Sequence, residues 1–381
     1  MLNFHEELNN NRKKEEWRLF HAKDFESLMY PCFTLCRILG IYPYKINAST
    51  IKISKLYYIL SIIVICFYNI YILIILYSIS VSNIEIKNFP FYLVICCAFM
   101  FGDFIIIISV ILTGSRTRLL QTILKVSSKL PPESYQKLSR LIHAKDIFGF
   151  LLVGIILICT SNLQIITLFQ NYASLIIYQM DMLYMNCVCI LKACFKEISD
   201  TLVNMQEFIT TNNESHFPRS IYYKQRNLLL VMELKILKKQ HLTISDTVQT
   251  LNMTFSLQLL ATIVMTFSCT SLSLYVYIQS WGYLSSTTLL HVYFLSCIAY
   301  FFIKMILIVW ACETSKNQAQ QISTSIYDAF NSTTDEQIKD ELQLFSLQIL
   351  HCNNTFSAKV LTIDAKFLAR VSQLSYSSLI R

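Results

Sequence analysis

The sequence predicts an all-α membrane protein: seven transmembrane helices, a cytoplasmic N-terminus, an extracellular C-terminus and a cytoplasmic helical anchor region. Three observations carry that expectation. Of 381 residues 54% are hydrophobic and only 15% charged, with mean hydropathy +0.47, more apolar surface than a soluble fold of this length can hide. Apolar runs reach twenty residues or more, the length of a helix that crosses a bilayer, and lack the short alternating segments of a barrel. Gly and Pro number six each, and neither occurs after Gly282, so the final quarter is free to run as long helices.

Residues 1–56 read as a cytoplasmic N-terminal region. They contain "NNNRKKEEWR" and no apolar signal core, which leaves the first span as the insertion signal. Hydropathy and length place spans near 57–81, 92–113, 147–169, 173–194, 254–278, 288–311 and 358–381. Helices 1–4 thus occupy 57–194, a cytoplasmic extension 195–253, helices 5 and 6 residues 254–311, a second cytoplasmic helix 312–357, and helix 7 the remainder to 381.

Charge sets the orientation. Nine Lys and Arg precede the first span and the next loop has only Lys87; Arg116 to Lys145 enrich the second connection, and the third and fifth have none. By the positive-inside bias the N-terminus is cytoplasmic, and an odd span count puts the C-terminus outside. The sequons at Asn47, Asn213, Asn252, Asn331 and Asn353 all fall on the cytoplasmic side of that scheme, where glycosylation does not occur. Most of the thirteen Cys lie within spans, as small apolar residues and not as a disulfide or metal framework.

In the fourth connection Ile198, Leu202, Met205 and Ile209 form one helical stripe, "TTNNESHFP" breaks the run, and the segment from Arg226 feeds into the fifth span. One reading is an amphipathic pair packed on itself. The favoured reading is a cytoplasmic assembly domain with the stretch around 334–352, because Leu342, Leu344, Phe345, Leu347 and Leu350 need burial.

"DFESLMYPCFTLCRILGIYP", "HLTISDTVQTLNMTFSLQLL" and above all "ELQLFSLQILHCNNTFSAKVLTIDAKFLARVSQLSY" resemble the insect gustatory receptor family along nearly the whole chain. The resemblance implies a tetrameric ligand-gated, non-selective cation channel, homotetramer or heteromer with other gustatory receptors. It further implies a multi-pass plasma-membrane protein of gustatory neuron dendrites that binds a small-molecule tastant, with helix 7 lining a shared pore. The family's terminal signature is Thr-Tyr, five apolar residues and Gln-Phe, whose region is the narrowest point of the pore. Here Ser375 and Tyr376 are followed by Ser377, Ser378, Leu379, Ile380 and Arg381, without Gln-Phe. A seven-span non-conducting receptor or accessory subunit is therefore the alternative.

Helical geometry sorts helix 7 into two faces. Leu361, Ala365, Leu368, Ser372, Ser375 and Leu379 make a small, apolar and hydroxylic stripe, suited to passing ions and to gating by dewetting; ordinary packing on small residues is the other reading. The pore-lining candidates are Leu368, Ser372, Ser375, Tyr376 and Leu379. Opposite lie Lys359, Lys366, Arg370, Gln373 and Ser377, expected to turn inward on their own subunit, since a ring of Arg370 in the conduit would repel cations. Asp103 and Asp181 are costly within a span, and one of them is expected to offset Arg370 or Lys366. A water-filled vestibule for Asp181, or a hydroxyl partner for Asp103, is the alternative.

A ligand pocket is expected in the outer half of the first six spans. Its candidates are Asn162 and Gln164 on the third, Tyr178, Gln179, Asp181 and Tyr184 on the fourth, Tyr275 on the fifth and His291 on the sixth: aromatic walls with a few polar groups. Tyrosines also favour the membrane interface without any ligand. No catalytic arrangement, phosphate loop, metal-ligand spacing or cofactor motif is found. The formal charge of +8 meets anionic lipid at the bilayer and requires no nucleic acid.

Overall fold

The computed structural model of the protein describes residues 20–41, 44–47, 50–81, 89–160, 165–213, 220–280, 288–359, 361–364, 366, 369, 370 and 373. Among these the chain forms α1 (Phe25–Ile38), α2 (Lys55–Val81), α3 (Phe89–Ile111), α4 (Thr113–Ser127) and α5 (Pro132–Thr160). α6 (Ile165–Asn213), α7 (Ser220–Ser280), α8 (Thr288–Ser332) and α9 (Glu336–His351) follow. Two small antiparallel hairpins, β1 (Tyr44–Asn47) with β2 (Thr50–Ile53) and β3 (Ser357–Ala358) with β4 (Leu361–Thr362), are the additions to an otherwise helical membrane fold.

Among the described residues five helices, α2, α5, α6, α7 and α8, are long and apolar enough to cross a membrane, and α3 with α4 makes a sixth if the bent pair counts as one span. The seventh expected span is described only in part. It opens as the β3–β4 hairpin, with Lys359 at φ 56°, and is helical at 366, 369, 370 and 373.

Length is what positions everything else. α6, α7 and α8 have 49, 61 and 45 residues, so at 1.5 Å per residue they run roughly 74, 92 and 68 Å, two to three times a hydrocarbon core of about 30 Å. Each must leave the bilayer at one end, which α9 joins; at the opposite, loop end α5 hands over to α6 and α7 to α8. The centre of the bundle is α6. Every position from Met180 to Leu191 is buried, the mark of a helix surrounded on all sides, whereas only 22% of the apolar stretch of α2 is buried, leaving it to lipid.

α3 and α4 meet at 66°. Ser109, Thr113 and Thr117 each turn their hydroxyl back to the carbonyl four residues earlier, at 2.6, 3.0 and 2.8 Å, a back-bonding that bends helices. The bend carries Arg116, Leu119, Leu120 and Ile123, one stripe at helical spacing, into the core.

α1 is an amphipathic helix started by a capping box. The Asp24 carboxylate accepts from Ser27 N at 2.8 Å while Asp24 N donates to Ser27 Oγ at 3.2 Å, satisfying two donors that a helix start leaves open. Gly40, at φ +69°, turns the chain out of it, a conformation only glycine adopts cheaply. The helix lies against α5 and α6, where His143 Nε2 meets the Leu28 carbonyl at 3.1 Å and Gln179 donates to the Cys32 carbonyl at 3.0 Å. Tyr172 donates to the Leu39 carbonyl at 2.9 Å.

In the extension, Glu341 of α9 sits between Lys238 at 2.8 Å and Lys235 at 3.4 Å of α7. The hydrogen bond from Lys238 holds the Glu341 carboxyl below its ordinary value; partial burial opposes this, and the charges of both lysines add to it. Of the α9 residues expected to need burial, Leu342 and Phe345 are in the core, while Leu344, Leu347 and Leu350 are exposed on the single chain. The segment after α9 is clamped to α7 by Asn252, which donates to the Thr355 carbonyl at 2.8 Å and accepts from Ser357 N at 3.2 Å.

Candidate functional site

Near the loop end the helices leave a partly closed cavity of about 60 Å³. α7 lines it with Met265, Cys269 and Ser273, spaced by four and therefore stacked on one face. α8 answers with Tyr293, Cys297, Tyr300 and Phe301; α5 supplies the aliphatic wall of Val153, Ile156 and Leu157, and α6 contributes Asn171 and Ser174. Tyr300 and Ser273 are buried, and neither hydroxyl has a hydrogen-bond partner among the described residues. A larger hollow of about 520 Å³ lies in the extension, between Phe208 of α6 and Arg226 of α7. It is an open groove, whereas the loop-end cavity is the more closed of the two and takes more of a guest out of solvent.

A chain of buried polar groups lies directly beneath. One turn below Tyr300 and Phe301, Lys304 points its ammonium at both rings, 5.4 and 5.5 Å from the centroids, and pairs with Asp181 at 3.2 Å. The other Asp181 oxygen accepts from Thr262 at 3.2 Å and Gln258 at 3.4 Å. Gln258 in turn accepts from Arg116 at 2.6 Å, whose guanidinium lies 4.8 Å over the ring of Phe255. Arg116, Asp181 and Gln258 are all 0% exposed. Charges so buried persist only when paired and hydrogen-bonded, and this network ties α4, α6, α7 and α8 at one level. A second buried pair, Lys145 with Asp146, is held by Asn186 at 3.2 Å, and the Tyr178 hydroxyl donates to the Asp146 carbonyl at 2.8 Å.

The sequence candidates are distributed differently from expectation. Asp181 takes Lys304 as its partner, not Lys366 or Arg370, which are exposed on the chain; the basic stripe of the last segment does not turn inward on its own subunit at these positions. Asp103 is half-buried, and its Oδ1 has no hydrogen-bond partner among the described residues. Of the fourth-span candidates none lines the cavity: Tyr178 packs edge-on against Phe150, Gln179 holds α1, and the Tyr184 hydroxyl meets Cys312 Sγ at 3.3 Å. The reason is a boundary. α6 begins at Ile165, so Tyr178 lies roughly 20 Å along it, and Asn171 and Ser174 occupy the turns nearer the loop end instead. Tyr275 is 53% exposed, on the outside of the bundle. Asn162, Gln164 and the side chain of His291 lie outside the described residues, as do Leu368, Ser372, Ser375, Tyr376 and Leu379.

Lys304, Arg116 and Gln258 are additions that the structure makes to the site. Lys304 carries the same signal as Asp181, an ionisable residue inside an apolar run; Gln258 has no such signature.

The sequence of residues 29–368 matches a family model described as 7tm Chemosensory receptor. No curated protein matches the sequence of the chain. Among solved structures the fold is similar to the insect olfactory receptor OR5 from Machilis hrabei, with TM-score 0.69 at 11% identity over 92% of this chain and 96% of that one. The same receptor in complex with eugenol matches equally, again at TM-score 0.69 with 11% identity and the same coverage.

Proposed function

The chain belongs to the 7tm chemosensory receptor family, and from that premise we propose that it is a gustatory-type chemoreceptor, a subunit of a ligand-gated, non-selective cation channel in the plasma membrane. The ligand is a small organic tastant held in the loop-end cavity. The observation that carries this reading is the position of that cavity against the Lys304 and Asp181 pair. A guest pressing on Tyr300 and Phe301 presses on the turn that carries Lys304, and through Asp181 and Gln258 on α6 and α7, the helices that leave the bilayer. The eugenol-bound receptor of similar fold supports a small-molecule ligand.

In this reading the N-terminus and the extension are cytoplasmic, and four copies, identical or mixed, surround a pore. Leu368, Ser372, Ser375, Tyr376 and Leu379 face the axis, with Lys366 and Arg370 turned away from it. The exposed Leu344, Leu347 and Leu350 of α9 are available to neighbouring subunits. The test is whole-cell recording of the protein expressed alone, across a panel of small organic compounds. Ligand-evoked cation current is expected, and Cys297→Leu, whose added bulk is close to the volume of the cavity, should reduce sensitivity while leaving surface delivery intact. Binding of ligand with no current in any subunit combination would instead support a non-conducting receptor.

A further inference from the structure

We propose that the cavity selects an uncharged molecule with a compact, largely aromatic body and a single hydrogen-bonding oxygen, and that the hydroxyls of Tyr300 and Ser273 read that oxygen. This rests on the cavity being the ligand site. Three features of the lining point to that chemistry.

The first is charge. Among the described residues no Asp, Glu, Lys, Arg or His lines the cavity. Lys304 lies beneath the Tyr300 and Phe301 rings and is matched by Asp181. An ionised ligand would shed its hydration shell and meet no counter-charge.

The second is the shortage of partners. Tyr300 and Ser273, 6% and 4% exposed, are the lining hydroxyls without a hydrogen bond among the described residues, whereas Asn171, Ser174 and Tyr293 already have contacts of their own. Two lining residues with free hydroxyls, one on α8 and one on α7, suffice for one oxygen. A sugar would bring several hydroxyls into a wall of Val153, Ile156 and Leu157, and each left unmatched is penalised.

The third is the surface itself. Phe301, Tyr293 and Tyr300 offer rings, and Met265, Cys269 and Cys297 offer polarisable sulfur, which contacts aromatic edges favourably. The volume of about 60 Å³ is smaller than the roughly 150 Å³ of an apolar cavity that takes up benzene, so the guest is a single ring at most and enters by displacing lining side chains.

The experiment measures binding, not current. The purified protein in lipid nanodiscs is titrated with 4-methylphenol, with 1,4-dimethylbenzene of the same shape, with 4-methylbenzoate and with glucose, following the thermal midpoint. The phenol should bind more tightly than the hydrocarbon, and the carboxylate and sugar should leave the midpoint unmoved. Tyr300→Phe and Ser273→Ala should each weaken the phenol roughly 3- to 10-fold, the span of one hydrogen bond, without changing the hydrocarbon; their unliganded midpoints report folding separately. Stabilisation by glucose or the carboxylate, no shift with any probe, or an unchanged phenol preference in both variants would overturn the proposal. Discrimination without current would sink conduction and leave this inference standing, and current without discrimination would do the reverse.

Discussion

Lys304 of α8 and Asp181 of α6 form an ion pair at 3.2 Å in which neither side chain is more than 2% exposed. Removing one member leaves the other as an uncompensated buried charge, a loss of about 3–5 kcal/mol, whereas replacing both with apolar residues of similar volume is often neutral or better. Lys304→Met and Asp181→Leu should each lower surface delivery and the thermal midpoint, and the double variant should recover most of both. A double variant as unstable as the sum of the singles would show that the pair is not coupled.

Gly149 of α5 faces the ring of Tyr178, so closely that an added Cβ would fall far inside van der Waals contact. Tyr178 has no room to retreat, being 1% exposed and bonded to the Asp146 carbonyl. Gly149→Ala should therefore destabilise by about 1–3 kcal/mol through overpacking. Gly154, on the same helix, has open space within 4 Å of where a methyl group would sit and is the control: alanine there should be neutral or stabilising by up to about 1 kcal/mol from helix propensity. Equal effects at the two sites would contradict the packing.

Asp24→Ala removes the cap of α1. The expected cost is about 1 kcal/mol of local stability, read as several-fold faster amide exchange across 25–38, with exchange in α6 unchanged. Protection that stays at the wild-type level would mean that the contacts of Tyr172, Gln179 and His143 alone hold the helix.

Glu341 predicts a pH dependence of definite sign. Its carboxyl titrates below the ordinary 4.5 in the folded chain, so its contribution to stability is complete above that pH and is lost as pH falls through the lower folded value. The difference in thermal midpoint between wild type and Glu341→Gln should be constant from neutral pH down to about 4.5 and shrink below it. As a pair near the surface it should amount to less than about 1 kcal/mol and weaken with salt. A difference that grows on acidification would refute the assignment.

The helices were legible because hydrophobic length is a one-dimensional property: 57–81 and 288–311 can be read by counting, and α2 and α8 begin within two residues of those bounds. Depth was not legible. Whether Tyr178 lies in the outer or inner half depends on where α6 starts, and a shift of eight residues moves a side chain by about 12 Å along the axis. The identity of partners was also hidden, since Asp181 announces that it needs a cation but pairing across 123 residues is decided by how α6 and α8 pack. The 66° bend between α3 and α4 falls among three back-bonded hydroxyls with individually unremarkable neighbours, and it places Arg116, which by sequence alone belongs to a basic loop, in the core.

α7 runs unbroken from Ser220 to Ser280, with Ser273 at the cavity and Lys238 at Glu341. A rod of about 92 Å turned by 2° sweeps its far tip through roughly 3 Å, so an adjustment too slight to register as rearrangement around a guest arrives at the opposite extremity as a stroke comparable to a side chain's width.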